Sequence, residues 1–228
     1  MRRFLVLFIF GLSLLTPIQQ MSADSDFHSR MSDEWWQWAT SIPTPVNPLL
    51  DVTGENCMVG QHGPVWFLAG SFGAAGPVTR NCSVPDDKLL FFPVVNFINI
   101  NTPNVCDQPD MSVRELRQQA ADFIDGVTNV SAELDGELIK HVRRTRSRVF
   151  AVTLPENNIF DTPDVCNVPA GVYSPAVDEG FYVSLSPLKA GAHTLHFHAE
   201  NPDQKFTQDV TYNLTVVHVS VRHHEEEQ

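Results

Sequence analysis

The stretch Phe206-Thr-Gln-Asp-Val-Thr-Tyr-Asn-Leu-Thr-Val216 indicates most clearly how this chain folds. Apolar and polar side chains alternate along it, with Val210, Tyr212 and Leu214 on one side and Asp209 among the polar residues on the other. Successive side chains of a strand point to opposite faces of a sheet, so a period of two is typical of a strand with one buried face. We therefore predict a strand here, with its even-numbered positions in the core.

Similar segments recur along the chain and are separated by turns rich in Gly and Pro. The pair Asp135-Gly136 between two such segments is typical of a β-hairpin turn. Strands at this spacing predict a mainly β fold, an antiparallel β-sandwich of immunoglobulin-like or jelly-roll kind, in a single domain over residues 24–219. The other predicted strands are residues 65–69, 78–84, 89–100, 127–139, 148–154, 180–185 and 192–199.

Two helices are expected beside the strands. Ser112-x-x-Glu115 is a capping box that opens an apolar stripe ending at Gly126, which predicts one inserted α-helix packed on an edge of the sandwich. Residues 29–40 place Trp35 and Trp38 on one face of a short N-terminal helix. An exposed aromatic platform for sugars is one interpretation of the tryptophans there, and a helix held to the core by its indoles is the one we favour.

The N-terminus predicts a signal peptide over residues 1–23. Arg2 and Arg3 precede an apolar run, and Met21-Ser-Ala23 supplies a small residue at the cleavage point. The run is too short for a membrane anchor, so we expect a secreted or periplasmic protein without a transmembrane segment after cleavage. The formal net charge of −12 argues against nucleic acid as a partner. Residues 220–228 predict a disordered tail of acidic and His residues.

Four cysteines in an oxidising compartment predict two disulfides. Two loops share the pattern Thr-Pro-x-Val-Cys-x-x-Pro around Cys106 and Cys166, and two such loops lying side by side would bring these two residues together. The predicted pairs are therefore Cys106–Cys166 and Cys57–Cys82.

Side chains that could bind a metal occur on the last hairpin. His196 and His198 point outward together, and Asp209 lies on the facing strand; we predict that His196 lies opposite Asp209 and His198 opposite Thr207. Two imidazoles and a carboxylate can hold Zn²⁺ or another divalent ion, while a plain His–Asp pair across the strands is the alternative. No other cofactor is expected.

Catalytic residues are not identified by any motif. Asp51 and Glu55 lie near His62 in sequence, and the pair Asp178 and Glu179 is expected in a solvated turn. The basic cluster at residues 140–148 could bind an anion, although a solvated strand face is the interpretation we favour.

Several blocks of the chain resemble a family of uncharacterised secreted bacterial proteins. The resemblance covers most of the chain after residue 23 and implies a bacterial origin and a single domain; it carries no activity and no catalytic residue. The blocks are Val65-Trp-Phe-Leu-Ala-Gly-Ser-Phe-Gly73, Leu89-Leu-Phe-Phe-Pro-Val-Val-Asn96, Thr153-Leu-Pro-Glu-Asn-Asn158, Gly171-Val-Tyr-Ser-Pro-Ala-Val-Asp178, Gly191-Ala-His-Thr-Leu-His-Phe197 and Asp209-Val-Thr-Tyr-Asn-Leu-Thr215.

Two classes of function remain open from the sequence. The first is a non-enzymatic binding or cell-envelope protein, with a carbohydrate or another envelope component as ligand. The second is a secreted hydrolase, with or without the assistance of a bound metal. A flat face with exposed Trp35, Trp36 or Trp66 would favour the first, and a deep pocket with converging His, Asp or Glu side chains would favour the second.

Overall fold

The computed structural model describes residues 17–72, 76–105, 107–161 and 167–219, with the backbone alone for residues 17–23. In these ranges the chain forms ten strands, two α-helices and two short 3₁₀ helices, at Thr44–Val46 and Pro202–Gln204. The helices are α1 (Pro17–Ser41) and α2 (Val113–Asp125), and the strands are β1 (Val65–Phe67), β2 (Val78–Pro85), β3 (Leu89–Ile100), β4 (Thr128–Leu134), β5 (Glu137–Leu138), β6 (Arg143–Arg146), β7 (Phe150–Leu154), β8 (Gly171–Leu185), β9 (Gly191–Asn201) and β10 (Phe206–Val217).

The strands form two five-stranded sheets. The first sheet has the order β1-β3-β8-β6, with β7 also paired to β8, and the second has the order β2-β10-β9-β4-β5. The prediction of a mainly β sandwich is confirmed. The sheets are mixed, however, since β1 runs parallel to β3 and β2 runs parallel to β10, while the other pairs are antiparallel.

The first sheet is buried on both faces. One face packs on the second sheet through residues such as Phe92 and Phe197, and the other packs on α1 through residues such as Phe91 and Tyr182. A strand covered on both sides favours apolar residues on both of its faces, which explains the unbroken apolar run at the start of β3. The molecule therefore has three layers, with α1 as the outermost.

Helix α1 begins before the predicted residue 29 and extends back to Pro17. Its tryptophans are buried, as the favoured interpretation required, and each indole N–H donates a hydrogen bond to a residue outside the helix. Trp35 donates to Leu68 O at 3.0 Å, and Trp36 to the Asp178 carboxylate at 2.7 Å. Of the predicted signal peptide, residues 1–16 lie outside the described residues. None of the helices in the described part of the chain combines the length and the apolar character that a membrane crossing requires.

Helix α2 follows its sequence signals closely. The Ser112 hydroxyl accepts from the Glu115 N–H at 3.3 Å, and the Glu115 carboxylate accepts from the Ser112 N–H at 2.8 Å. The apolar stripe is buried against β3 and β8, and Asn99 of β3 donates to the Leu116 carbonyl at 3.0 Å. The helix thereby covers one end of the sandwich.

The disulfide Cys57–Cys82 is present, with its Cα atoms 5.9 Å apart. It ties the loop before β1 to strand β2 and closes a segment of 25 residues, for which chain entropy contributes about 3.5 kcal/mol of stability. The predicted pair Cys106–Cys166 and the predicted tail at residues 220–228 lie outside the described residues.

Candidate functional site

An apolar cavity of about 420 Å³ opens along the edge of β3. Strand β1 pairs with β3 only from Leu89 to Phe91, and no other strand among the described residues pairs with β3 on that side farther along. The space left there lies between α1, α2 and the second sheet. We call it the aromatic cavity, because its lining includes Trp36, Phe72, Phe97, Phe123, Phe160 and Phe206.

The aromatic rings of the cavity wall support one another. Phe97 of β3 stacks on Phe123 of α2, with ring centroids 4.6 Å apart, and Phe123 meets Phe206 of β10 edge-on at 5.7 Å. On another wall, Phe72 and Phe160 meet edge-on at 6.2 Å. Edge-to-face and offset pairs of this kind hold ring positions well, so the cavity has a preformed apolar surface.

Gln208 is the main polar side chain of the cavity wall. It is buried at an even position of β10, its Oε1 accepts from the Ser71 N–H at 3.0 Å, and its Nε2 donates to the Val94 carbonyl of β3. Gln208 thus joins the two sheets and holds the loop at residues 70–72 against them. The neighbouring residue, Gly70, has no room for a side chain, because a Cβ there would come within 2.4 Å of the Gln208 Oε1.

A second polar group of the wall is Asn96. Its Nδ2 donates to the Tyr182 hydroxyl at 2.9 Å, and its Oδ1 makes no hydrogen bond to any residue that the structure describes. The side chain lines the cavity, so this amide can offer one hydrogen-bonding end to a bound molecule.

Asp178 lies behind this wall. Its carboxylate accepts from the Trp36 indole at 2.7 Å and from the Tyr182 hydroxyl at 2.8 Å. Burial raises the pKa of Asp178 to about 8, while the hydrogen bonds from Tyr182 and Trp36 act in the opposite direction. The carboxyl forms no salt bridge within the described residues.

The expectation of a solvated turn at Asp178 and Glu179 is wrong. Both lie in the middle of β8, which runs from Gly171 to Leu185, and both are almost fully buried. The prediction started this strand only at residue 180, since the polar pair looked like a turn. The cover of α1 and the arginines of β6 supply the partners that make burial of these two carboxylates tolerable.

The basic cluster is held in ion pairs. Arg144 and Arg146 bind the buried Glu179 at 2.6 and 2.8 Å, and Arg148 binds Asp33 at 2.8 Å. The arginine side chains are partly solvent-exposed, as expected for a strand face. Since carboxylates already neutralise these arginines, the cluster offers little free charge for an anion.

The predicted metal-binding residues come together, although in a different register. Asp209 lies opposite His198, and His196 lies opposite Thr211. The prediction ended β9 too early, because the strand continues to Asn201, whose side chain caps the following 3₁₀ turn by accepting from the Gln204 N–H at 3.2 Å.

Each of the two imidazoles contacts a carboxylate. His196 Nε2 lies 3.0 Å from Asp209, and His198 lies 3.4 Å from Asp209 and 3.1 Å from Glu200. These contacts match the alternative of His–carboxylate pairs. Among the described residues, no group of three or more His, Cys, Asp or Glu side chains has the arrangement of a metal site.

The metal site at His196, His198 and Asp209 stays a prediction. If a divalent ion binds here in place of the His–carboxylate contacts, we expect titration with Zn²⁺ to give one bound equivalent. The variants His196→Ala and His198→Ala should each weaken Zn²⁺ binding by about tenfold or more. His141→Ala, a histidine elsewhere on the surface, is the matched control. Equal Zn²⁺ uptake by all four proteins would leave the two histidines as partners of carboxylates only.

Asp51 and His62, which were considered for hydrolysis, make local contacts within their own loops. The Asp51 carboxylate accepts from the backbone of Thr53 and of Asn56, each at 2.8 Å, and so shapes its own loop. Burial opposes these bonds, but together they lower the pKa of Asp51. His62 is exposed and contacts the carbonyl of Gly60 at 3.0 Å.

One Ser–His–Asp contact chain escaped the sequence analysis. His28 Nε2 lies 3.3 Å from the Ser184 hydroxyl, and its Nδ1 lies 3.0 Å from the Asp24 backbone carbonyl and 3.4 Å from the Asp24 carboxylate. His28 borders a cleft beside β6, but Ser184 is not among the described residues that line it. Asp24 and His28 are one helical turn apart, but Ser184 lies 156 residues from His28, so no local motif could have revealed its contact.

The fold and the site together define this protein as a β-sandwich with a preformed aromatic cavity. None of the described residues that line the cavity is a His, Asp or Glu. Trp35, Trp36 and Trp66 are all buried, so they form no flat exposed face. Neither the models of protein families nor the curated proteins include a match to this chain.

Proposed function

We propose that this protein binds a small apolar molecule in the aromatic cavity, outside the cytoplasm. The observation that carries the proposal is the cavity itself: about 420 Å³, walled by aromatic rings, with few polar groups. Pockets for small molecules have this size and this mixture of apolar lining and sparse polar groups. The sequence suggested a carbohydrate or another envelope component as ligand. A small apolar molecule fits this cavity better.

The strength of binding can be bounded from the area that a ligand buries. A bicyclic aromatic ligand hides about 200 Å² of apolar surface, which contributes on the order of 5 kcal/mol. The loss of translational and rotational freedom offsets part of that gain. We therefore expect dissociation constants on the order of 1 mM for simple aromatic probes, and tighter binding for the natural ligand.

The proposed compartment rests on two features. Residues 1–23 have the composition of a signal peptide, and the disulfide Cys57–Cys82 is of a kind that persists in oxidising compartments. The resemblance to secreted bacterial proteins points the same way. A secreted or periplasmic carrier or sensor of apolar molecules accounts for these features together with the cavity.

Binding of N-phenyl-1-naphthylamine, whose fluorescence rises in apolar sites, tests the proposal. Ser71→Phe places a ring in the cavity yet keeps the backbone bond from residue 71 to Gln208, so we expect its affinity for the dye to fall by about tenfold or more. Ser186→Phe makes the same change on an exposed loop and should bind like the wild type. If both variants bind alike, or if the dye does not bind at all, the cavity is not the binding site.

The other candidate class, a secreted hydrolase, has one observation behind it, the contacts of Ser184 with His28 and of His28 with Asp24. The Ser184 hydroxyl lies outside the described lining of the neighbouring cleft. The binding function is the better supported of the two.

A further inference from the structure

The polar wall of the aromatic cavity connects to the buried carboxyl through two hydrogen bonds. Asp178 contacts the Tyr182 hydroxyl at 2.8 Å, and that hydroxyl contacts the Asn96 amide at 2.9 Å. Asn96 lines the cavity, whereas Asp178 and Tyr182 are fully buried behind it. A hydroxyl has a single hydrogen, so Tyr182 can donate to only one of its two neighbours at a time.

The protonation state of Asp178 decides which neighbour receives that hydrogen. A carboxylate only accepts, so Tyr182 must donate to it, and Asn96 must then turn its Nδ2 toward the Tyr182 oxygen. This is the arrangement in the structure, and it leaves the Asn96 Oδ1 for the cavity. A neutral carboxyl can donate to Tyr182, which can then donate to the Asn96 Oδ1, and the amide presents its NH₂ group to the cavity.

We propose that Asp178, Tyr182 and Asn96 form a hydrogen-bond relay that sets the class of ligand. With neutral Asp178 the cavity selects apolar molecules that carry a hydrogen-bond acceptor, such as a carbonyl or ring nitrogen. With ionised Asp178 it selects apolar molecules that carry a hydrogen-bond donor. This inference rests on the proposed function, because it requires a ligand in the cavity. It assigns Asn96 as the residue that determines specificity and Tyr182 as a positioning residue.

The surroundings of Asp178 allow it to exist in the neutral state near neutral pH. Burial raises its pKa to about 8, the negative charge of Glu179 adds to that effect, and the donors Tyr182 and Trp36 oppose it. The titratable and charged side chains on the elements packed around it are engaged with other partners. These groups are His28 and Asp33 of α1, with Asp33 bound to Arg148, and Arg144 and Arg146 of β6, both bound to Glu179.

Three bicyclic aromatic probes of similar size separate the effect of hydrogen bonding on affinity from that of apolar contact. Quinoline carries an acceptor, indole carries a donor, and naphthalene carries neither. Displacement of the fluorescent dye gives the affinity of each probe from about pH 6.5 to about pH 9, across the titration of Asp178. We expect the ratio of quinoline affinity to indole affinity to fall by about tenfold over this range, which corresponds to one hydrogen bond gained or lost, and naphthalene affinity to stay constant.

Tyr182→Phe removes the central hydroxyl but keeps the ring, so the affinity ratio should become independent of pH. Asn96→Leu should equalise the two affinities at every pH. Tyr173→Phe removes a hydroxyl that contacts the Pro169 carbonyl instead, and it should behave like the wild type. A wild-type ratio that stays constant while all three probes bind overturns the relay alone. Failure of naphthalene and the dye to bind overturns the proposed function as well.

Discussion

Replacement of Asp178 by Asn makes the stability of this protein less dependent on pH. Burial raises the pKa of Asp178 to about 8 in the folded protein, from an ordinary value of 3.8. Between these values the folded state holds one more proton than the unfolded state, so stability falls as pH rises. This carboxyl contributes a decrease of about 1.4 kcal/mol in the free energy of unfolding per pH unit. An amide does not titrate, so the contribution is absent in Asp178→Asn.

Urea unfolding at several pH values between about 5 and 8 measures this effect. The pKa of Asp33 is also raised by burial, against the effect of Arg148, so the variant keeps some pH dependence. The difference between the two slopes isolates Asp178. Glu156→Gln, which neutralises an exposed carboxylate, is the matched control and should keep the wild-type slope. Equal slopes for Asp178→Asn and the wild type would show that this carboxyl is already ionised in the folded protein.

Replacement of Gln208 by Leu lowers the free energy of unfolding by about 3 kcal/mol. The amide makes two hydrogen bonds, a part-buried one with the Ser71 N–H and a buried one with the Val94 carbonyl, and an apolar side chain leaves both backbone groups without this partner. The variant also frees the loop at residues 70–72 from the sheets. We therefore expect dye binding to weaken together with stability, since that loop lines the aromatic cavity.

The midpoint of urea unfolding and the affinity for N-phenyl-1-naphthylamine measure the two effects. Gln118→Leu makes the same exchange on the exposed face of α2, where the amide bonds to Asp122, and should change stability by less than about 0.5 kcal/mol. A loss of stability in Gln208→Leu without any change in dye affinity would show that the loop does not shape the binding site.

Features set by neighbouring residues could be predicted from the sequence. The alternation along β10 places Val210, Tyr212 and Leu214 in the core. The capping box opens α2, and Asp135-Gly136 forms the hairpin turn, with positive φ angles of 54° and 81°. In each case a few consecutive side chains and their backbone angles determine the local conformation. Gln208 interrupts the apolar positions of β10, and that interruption was the one sequence signal of the cavity wall.

The position and lining of the aromatic cavity depend on the tertiary structure and could not be predicted from the sequence. The parallel pairing of β2 with β10 joins segments more than a hundred residues apart, and no local pattern specifies it. Asp178 and Glu179 are polar in sequence, but the cover of α1 and the arginines of β6 bury them. The cavity is walled by α1, α2, β3, β10 and three loops, and its existence depends on where β1 ends beside β3. Local periodicity thus determines the elements, whereas burial and ligand space arise from contacts between distant segments.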